Sequence, residues 1–338
     1  MPLLNEARWW EVLDKERIIC TLCPRHCLLA EGKHGFCYIR KNENGQLVNL
    51  GYGHPIALHV DPIEKKPLNH FLPGTDILSL GTAGCNMGCR FCQNWDLSTA
   101  RETQEHTREV SAEQVVELAR RQGVPSIAFT YNEPTIWGEY VIDIAEQAQA
   151  HGLRTVMVTN GYVDPKPLRD IYAHIDAANV DLKGFTQEFY GRMTLSNLQP
   201  VLETLVHLRH EMGTWIEITN LMIPGKNDAP TETSQLCEWI VNELGVDTPL
   251  HFTAFHPDYQ SREIPRTPGE TLSNARRIAM AAGLRYVYIG NVHDEDGQTT
   301  FCWQCGMPLI RRNWHSVMEN RLQDGHCPKC QASIAGVF

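Results

Sequence analysis

From residue 77 onward, short apolar runs alternate with longer stretches in which apolar residues recur at helical spacing. Strands buried on both faces give continuous apolar runs, so this alternation predicts βα units around a parallel sheet. The predicted strands cover residues 77–82, 126–131, 154–159, 177–181, 215–223, 251–255 and 285–289. We therefore expect an α/β protein whose core is a partial (β/α) barrel.

Local signals mark where some elements begin and end. Ser111 followed by Gln114 predicts a helix that starts with a capping box. Residues 267–270 predict a second capping box, for a helix that ends at Gly283. Residues 41–46 are polar and lie between two apolar runs, which is typical of a hairpin turn.

The segment 61–72 is charged and bounded by prolines. One interpretation is a cluster of ion pairs on the surface. The other is a lid over the site, in which Lys65 or Lys66 contacts a carboxylate or a phosphate, because loops of this kind commonly carry function.

Composition narrows the class of protein. The chain of 338 residues is 42% hydrophobic and 21% charged, with a formal net charge of -10. This negative charge argues against general binding to nucleic acid or to an anionic membrane. Residues 1–17 mix both signs of charge without an apolar signal core, and no segment approaches the ~20 apolar residues of a membrane span. We expect a cytoplasmic protein.

Eleven of the twelve cysteines fall into three close groups. Such groups in a chain without an export signal predict metal ligands and not disulfides. Cys237 is left over, and its apolar neighbours Leu236 and Ile240 predict a buried thiol on a helix.

The central group, Cys85, Cys89 and Cys92, has C-x3-C-x2-C spacing and follows the first predicted strand. A structural zinc site uses four protein ligands, whereas three cysteines around a cubane iron–sulfur cluster leave one iron free for an exogenous ligand. Unligated loop thiols, or zinc completed by a distant residue, are the alternatives.

The two outer groups contain four cysteines each. The N-terminal group fits either zinc or an auxiliary iron–sulfur cluster. The C-terminal group forms two CxxC pairs, which favours a zinc ribbon over a rubredoxin-like iron site. The N-terminal ligands are Cys20, Cys23, Cys27 and Cys37. The C-terminal ligands are Cys302, Cys305, Cys327 and Cys330.

The central motif, Cys-Asn-Met-Gly-Cys-Arg-Phe-Cys-Gln-Asn-Trp at 85–95, resembles the signature of the radical S-adenosylmethionine (SAM) superfamily, in the branch of the pyruvate formate-lyase activating enzyme. With the outer cysteine groups, Asp-Pro-Ile-Glu-Lys-Lys-Pro-Leu at 61–68 and Tyr-Asn-Glu-Pro-Thr at 131–135, nearly the whole chain resembles the AmmeMemoRadiSam radical enzymes. The resemblance implies that the three central cysteines hold a 4Fe-4S cluster whose open iron binds SAM. An electron from the reduced cluster then releases methionine and a 5'-deoxyadenosyl radical.

The same resemblance implies a cosubstrate pocket at the strand ends. Asn132 and Glu133 occupy the place of the family's Gly-Gly-Glu-Pro motif, which contacts the methionyl amino group. Backbone carbonyls and Glu133 are the expected acceptors for that ammonium group. Thr159 and Asn160 end the third predicted strand and are expected to bind the cosubstrate as well.

Two further strand ends carry charged residues. Asp181 and Lys183 resemble the family's Asp-Leu-Lys motif, which orients the cosubstrate and can hold a monovalent cation; a structural ion pair is the alternative. His256 follows the sixth strand, where the activating enzymes have a histidine near the cosubstrate. We expect Asp181, Lys183 and His256 to bind SAM. Catalytic roles are assigned to Lys183, His256 and Glu217, and Glu217 would need a partner if it faces inward.

The implied reaction is hydrogen abstraction by the 5'-deoxyadenosyl radical. The target is either a glycyl residue on a partner protein, or a small molecule or RNA base modified directly. An external electron donor such as flavodoxin or ferredoxin is expected, and neither a membrane nor a general nucleic-acid partner is. The non-enzymatic alternative, an iron–sulfur electron carrier, needs a fourth protein ligand for the central cluster, for which Cys237 is the candidate.

These assignments divide the chain into three parts. Residues 1–76 form an N-terminal cysteine-rich segment with the lid loop, residues 77–293 form the radical SAM barrel, and residues 294–338 form a zinc-ribbon-like module. We expect the metal to stabilise that module, because so few residues cannot build a sufficient core of their own.

Overall fold

The computed structural model of the chain describes residues 6–14, 17–101 and 107–338. The N-terminal part of the described chain contains five short strands. They are β1 (Trp10–Val12), β2 (Arg17–Cys20), β3 (Leu28–Ala30), β4 (Arg40–Glu43) and β5 (Gln46–Asn49). The first three form an antiparallel sheet, and β4 and β5 form a hairpin. Its turn contains Asn44 and Gly45, both at positive φ, as two-residue hairpin turns favour. The predicted hairpin is therefore confirmed.

The central sheet of the described structure has eight strands, which lie side by side in chain order. They are β6 (Ala57–Pro62), β7 (Asp76–Gly81), β8 (Ser126–Phe129), β9 (Arg154–Thr159), β10 (Ala177–Asp181), β11 (Trp215–Met222), β12 (Leu250–Ala254) and β13 (Val287–Gly290). Neighbours from β7 to β13 are parallel, and β6 pairs antiparallel to β7. Because β6 and β13 are the two edges, the sheet is open, and the predicted α/β class with a partial barrel is confirmed.

Helices connect the parallel strands. They are α1 (Trp95–Ser98), α2 (Ala112–Gln122), α3 (Gly138–Ala150), α4 (Pro165–Tyr172), α5 (Gln187–Phe189), α6 (Gln199–His207), α7 (Pro230–Glu243) and α8 (Gly269–Ala281). A short helix, α9 (Glu295–Gln298), follows the last parallel strand. Among the described residues, no helix combines the length and the apolar character that crossing a membrane requires.

One of the two predicted capping boxes is present. The Gln114 amide donates to the Ser111 hydroxyl at 3.2 Å, and the Gln114 side chain accepts from the Ser111 amide at 2.9 Å, at the start of α2. The second prediction was wrong, because Pro268 occupies the N-cap position of α8. Thr267 instead accepts a hydrogen bond from the Phe255 amide at 2.9 Å.

Residues 63–72 fill the interior of the sheet near the amino ends of its strands. Ile63, Leu68 and Phe71 pack there against four strands. Their partners on those strands are Ile77, Ala128, Val156 and Ala177. The cysteine loop leaves the opposite, carboxyl end of β7. This segment is therefore a floor of the interior and not a lid over the central cysteines, which corrects the lid hypothesis.

Both lysines of this segment pair with Asp61. Lys66 Nζ lies 2.6 Å from Asp61 Oδ2, and its side chain is 3% exposed. Lys65 Nζ lies 2.9 Å from Asp61 Oδ1, and its side chain is half exposed. The Tyr131 hydroxyl donates to the same carboxylate at 2.7 Å. These contacts favour the interpretation of the segment as a cluster of ion pairs. The cluster is largely buried, however, and does not lie on the surface as that interpretation assumed.

The C-terminal ribbon, residues 300–338, contains β14 (Thr300–Phe301), β15 (Pro308–Asn313) and β16 (Ser316–Asn320). Its buried Arg312 donates to the carbonyl of Asn69 at 2.8 Å and to the hydroxyl of Thr300 at 2.9 Å. A backbone bridge also pairs Phe71 with Val337. The ribbon thus packs on the outer side of the floor segment. The three-part division of the chain stays a prediction.

His70 joins the floor segment to the ribbon. Its Nδ1 donates to the carbonyl of Ala335 at 2.6 Å, and its Nε2 accepts from the hydroxyl of Tyr288 at 2.5 Å. Burial lowers the pKa of His70 to about 4, with Arg312 adding to this effect and Glu217 opposing it. The neutral ring satisfies both hydrogen bonds, so the folded protein holds His70 uncharged at neutral pH.

We expect acid to destabilise the protein through His70. Between pH 6.5 and about 4 the unfolded chain binds a proton on this ring that the folded chain excludes. The free energy of unfolding should therefore fall as the pH drops, by about 2 kcal/mol at pH 5. Urea unfolding from pH 7 to pH 5 measures this slope. His70→Gln should be less stable at pH 7 and show a shallower slope than the wild type. An equal slope in His70→Gln contradicts the assignment.

Candidate active site

The central cysteines lie on the loop that follows the carboxyl end of β7. Cys85, Cys89 and Cys92 are each partly exposed. Gly84 has a φ of +86°, and a Cβ at this position would lie 2.2 Å from the carbonyl oxygen of Cys37. A Cβ on Gly88 would lie 2.8 Å from Leu195 Cδ1. Glycine is therefore required at Gly84, whereas at Gly88 a larger residue would require the Leu195 side chain to move.

A single turn of π-helix, Tyr190–Thr194, supports the loop from the side. The amide of Gly88 donates to the carbonyl of Thr194 at 2.9 Å, and the amide of Arg90 donates to the carbonyl of Met193 at 2.9 Å. Turns of π-helix occur often at functional sites. Here the carbonyls of the last two residues, which have no partner within the helix, bind the loop that carries the cysteines.

Asn132 holds the base of the same loop. Its Nδ2 donates to the carbonyl of Gly84 at 3.0 Å and to that of Ala83 at 3.2 Å, and its Oδ1 accepts from the amide of Thr82 at 3.2 Å. The neighbouring residue, Tyr131, has a φ of +71°, which glycine adopts more easily. The Asn132 side chain thus uses its hydrogen bonds to hold the base of the loop at three consecutive residues, 82–84.

Asn132→Ala should loosen the loop. The variant leaves the loop's polar groups without their partner, which costs about 1–3 kcal/mol of unfolding free energy. We expect a lower urea midpoint and less bound iron per chain after anaerobic purification. Asn242→Ala, on the exposed side of α7, is the matched control. Unchanged stability and iron content in Asn132→Ala would show that the loop does not depend on this side chain.

Glu133, Thr159 and Asn160 lie together beside the first central cysteine. Glu133 accepts hydrogen bonds from the Thr159 hydroxyl at 2.7 Å and from the Asn160 amide at 2.8 Å. Asn160 Nδ2 donates to Asn86 Oδ1 at 2.9 Å and lies 3.8 Å from Cys85 Sγ. Burial raises the pKa of Glu133, although these donors oppose the rise. The structure therefore brings together the residues predicted at the ends of β8 and β9.

Asp181 and Lys183 lie beside the second central cysteine. Lys183 Nζ is 2.8 Å from Asp181 Oδ2. Burial disfavours the charged form of Lys183, but Asp181 and Cys89 outweigh it, so the pKa of Lys183 is raised. Burial raises the pKa of the Cys89 thiol to about 12, and the positive charge of Lys183 opposes that rise. The lysine thus remains charged and faces a sulfur that a metal would hold as a thiolate.

Glu217 and His256, the other two residues with predicted catalytic roles, do not lie beside the central cysteines. Glu217 is fully buried at the amino half of β11, where it accepts from the amides of Asn69 at 3.0 Å and His70 at 2.8 Å. It also lies 2.7 Å from His251 Nε2. Burial would raise the pKa of Glu217, but its partners outweigh that effect and lower it. His256 is exposed just beyond the end of β12. The structure thus places Glu217 with the floor segment and His256 at the rim.

The C-terminal cysteines form a compact tetrad. The Sγ atoms of Cys302 and Cys330 are 3.5 Å apart, and those of Cys305 and Cys327 are 3.7 Å apart. Four sulfurs placed about 2.3 Å from one tetrahedral ion lie about 3.8 Å from one another. The tetrad can therefore hold a metal ion. Within the described parts of the chain, it is the only group of three or more His, Cys, Asp or Glu residues with ligand atoms this close together.

Arg25 is a site residue that the sequence patterns do not single out. Its guanidinium donates to the carbonyls of Asn86 and Leu195 and stacks 3.4 Å from the centre of the Phe36 ring. These partners are 61 and 170 residues away along the chain. Its position directly after Pro24, between two cysteines of the N-terminal group, was the only signal available.

Comparisons with known proteins agree with this geometry. The model of the Radical SAM superfamily matches residues 79–237. An uncharacterized protein of Methanocaldococcus jannaschii is 44% identical over 91% of this chain and 92% of its own length. A putative glycyl-radical enzyme activating enzyme of the same organism is 21% identical over 64% of this chain and 80% of its own length.

The fold has a counterpart among solved structures. A radical SAM methyltransferase from Sphaerobacter thermophilus aligns with a TM-score of 0.51 and 16% identity. The alignment covers 86% of this chain and 78% of the methyltransferase. At this identity the likeness supports the arrangement of strands and helices.

Proposed function

The chain belongs to the radical SAM superfamily and is an enzyme, and from this premise we propose that it cleaves SAM reductively and uses the resulting radical to abstract a hydrogen atom. The observation that carries the proposal is the convergence of three partly exposed thiols with Asn160 and Lys183 at the carboxyl edge of the sheet. Parallel α/β sheets bind their ligands at this edge.

The three central cysteines fit the cluster that the family implies. In the described chain, the group whose ligand atoms all lie within 4.8 Å of one another is the C-terminal tetrad, and the three central cysteines do not form such a group. Cys237, the candidate for a fourth ligand, is fully buried on α7 among apolar core residues. Cys85, Cys89 and Cys92 would therefore hold a 4Fe-4S cluster with one iron open. When bound, that group supplies the electron that breaks a carbon–sulfur bond of SAM.

The residues around the cysteines would orient the cosubstrate. Glu133 already accepts hydrogen bonds from Thr159 and Asn160, so its proposed role is to position them. Lys183 would balance the negative charge of the thiolates, since its positive charge already opposes the rise in the pKa of Cys89. The Asp181 side chain is 33% exposed, so its carboxylate can accept a hydrogen bond from the amino group or a hydroxyl of SAM.

We propose a glycyl residue of a partner protein as the substrate. The mouth of the site is open, because Cys85, Cys89 and Cys92 are partly exposed and His256 at the rim is exposed. An open mouth allows a peptide loop to enter, which a sealed pocket would forbid. A low-potential one-electron donor of the flavodoxin or ferredoxin class would reduce the cluster.

Production of 5'-deoxyadenosine tests the proposal. The protein is reconstituted anaerobically with iron and sulfide, reduced with dithionite and mixed with SAM. We expect 5'-deoxyadenosine and methionine in equal amounts, with neither formed when the reductant is left out. Absence of both products from protein whose EPR spectrum shows a reduced cubane cluster would refute the proposal.

A further inference from the structure

Tyr131 has a backbone conformation that its own side chain disfavours. It lies just beyond the carboxyl end of β8, with a φ of +71° in the left-handed region. A residue other than glycine populates this region less than the right-handed one, by a factor of about 5 to 30. Such strain persists only where the surroundings hold the residue in place, and it is found most often at active sites. The contacts of Tyr131 must therefore offset its strain.

Tyr131 and the two residues after it hold the candidate active site together. The carbonyl of Tyr131 accepts from Asn94 Nδ2 at 2.9 Å, on the segment that follows the third central cysteine. The side chain of Asn132 holds the base of the loop that carries those cysteines. Glu133 accepts from the amide of Asn160 at 2.8 Å. A change in the backbone at Tyr131 would thus disturb both ends of the cysteine loop and the side chains beside it.

The side chain of Tyr131 extends along β7 toward the amino end of the sheet. At the carboxyl end of β7, a Cβ on Gly81 would lie 2.5 Å from the carbonyl oxygen of Thr130 and 3.2 Å from the Cβ of Tyr131. The hydroxyl of Tyr131 donates to Asp61 Oδ2 at 2.7 Å, and Asp61 pairs with Ile77 near the beginning of β7. The ring therefore connects the strained backbone at one end of the sheet to a carboxylate near the other end.

Asp61 is a fixed acceptor for this hydroxyl. Its side chain is 8% exposed, Lys66 Nζ lies 2.6 Å from its Oδ2, and Lys65 Nζ lies 2.9 Å from its Oδ1. The ammonium group of Lys66 also lies 4.8 Å from the centre of the Tyr131 ring, within the range of a cation–π contact. With both oxygens engaged, the carboxylate cannot turn away from Tyr131.

We infer that Asp61 is a positioning residue of the cosubstrate site, because its hydrogen bond holds Tyr131 in the left-handed conformation that SAM binding requires. A hydrogen bond to a charged group shifts an equilibrium by a factor of about 10 to 100, which is enough to offset the strain at Tyr131. Asp61 touches neither the cysteines nor the cosubstrate and acts through Tyr131. The inference rests on the proposed function, since it concerns how the same site is held ready for SAM.

Two substitutions at position 131 distinguish this role from simple packing. Tyr131→Phe keeps the ring but removes the hydroxyl, so the strain is no longer offset, and the dissociation constant for SAM should rise about tenfold. Tyr131→Gly removes the whole side chain, yet glycine adopts a positive φ without strain. Tyr131→Gly should therefore bind SAM more tightly than Tyr131→Phe does. A side chain that only packs would give the opposite order, because glycine loses more contacts than phenylalanine.

Equilibrium dialysis of SAM against the anaerobically reconstituted protein, before reduction, measures these constants without turnover. Iron per chain and circular dichroism, measured on the same samples, report whether each variant keeps its cluster and its fold. Tyr52→Phe is the matched control, because the hydroxyl of Tyr52 also donates to a carboxylate, that of Asp143, while its backbone does not have a positive φ. It should bind SAM as the wild type does.

Two results would overturn the inference. One is a Tyr131→Phe variant with the SAM affinity of the wild type, and the other is a Tyr131→Gly variant that binds SAM no more tightly than Tyr131→Phe. If Tyr131→Gly does not fold, Tyr131→Asn takes its place with the same expected order, because asparagine tolerates the left-handed region better than most residues. A wild-type protein that keeps its cluster but binds no SAM would refute the proposed function and this inference with it, so the two failures are distinguishable.

Discussion

Replacing Cys89 with alanine should abolish the formation of 5'-deoxyadenosine. The variant loses one of three protein ligands to the catalytic cluster, and it is the ligand that faces Lys183. Loss of a cluster ligand removes the electron source itself, so we expect product at the level of the control without reductant. Anaerobic assay by liquid chromatography measures this, with EPR spectra taken on the same samples.

Cys237→Ala provides the matched control for Cys89→Ala. Cys237 is buried on α7, and burial raises the pKa of its thiol to about 12, so it is protonated and unreactive at neutral pH. The control should retain wild-type product formation with at most a loss of stability from the small cavity. Wild-type activity in Cys89→Ala would show that the electron comes from elsewhere in the protein.

Preventing metal binding by the C-terminal tetrad should unfold the ribbon. Cys302 and Cys327 are buried in a small apolar cluster with Leu309 and Ile310. Structural zinc sites of four cysteines contribute several kcal/mol to folding, because the ligands are brought together only in the folded chain. For Cys302→Ser with Cys327→Ser we expect at least about 3 kcal/mol less unfolding free energy. Rapid proteolysis between residues 300 and 338 should accompany this loss.

Urea unfolding, zinc and iron analysis, and limited trypsin digestion test this prediction together. Met318→Ala, on an exposed position of β16, is the control and should leave all three readouts unchanged. A variant that lacks the metal but unfolds and resists trypsin as the wild type does would show that the tetrad does not stabilise the ribbon.

The parallel strands were predictable because each is buried on both faces. The strands at 154–159 and 177–181 coincide with β9 and β10, and the others differ from prediction by no more than two residues at either end. β6 was not predicted, because it is an edge strand that pairs antiparallel with β7 and carries exposed polar residues such as His59. Its sequence therefore lacks a continuous apolar run.

The site was predictable only in part. The placement of Glu133, Asn160 and Lys183 near the central cysteines was predictable, because parallel strands end at one edge of the sheet and polar residues at those ends lie close together. Their roles stay a prediction. For Glu217, alternation along β11 correctly predicts which face of the strand carries the side chain. It does not predict whether that side chain lies near the floor segment or near the cysteines at the opposite end of the sheet. Arg25 depends on contacts with segments far along the chain, which no local pattern encodes.

The contact of the ribbon with the floor segment also sets an order on folding. His70 and Ala335 are 265 residues apart in the chain and share a hydrogen bond. During synthesis, the floor segment leaves the ribosome long before the residues that cover it, and such distant contacts form late and slowly. Until then His70 lacks its carbonyl partner, and its ring remains accessible to protons. The interior of the barrel is therefore completed only after the ribbon has been made.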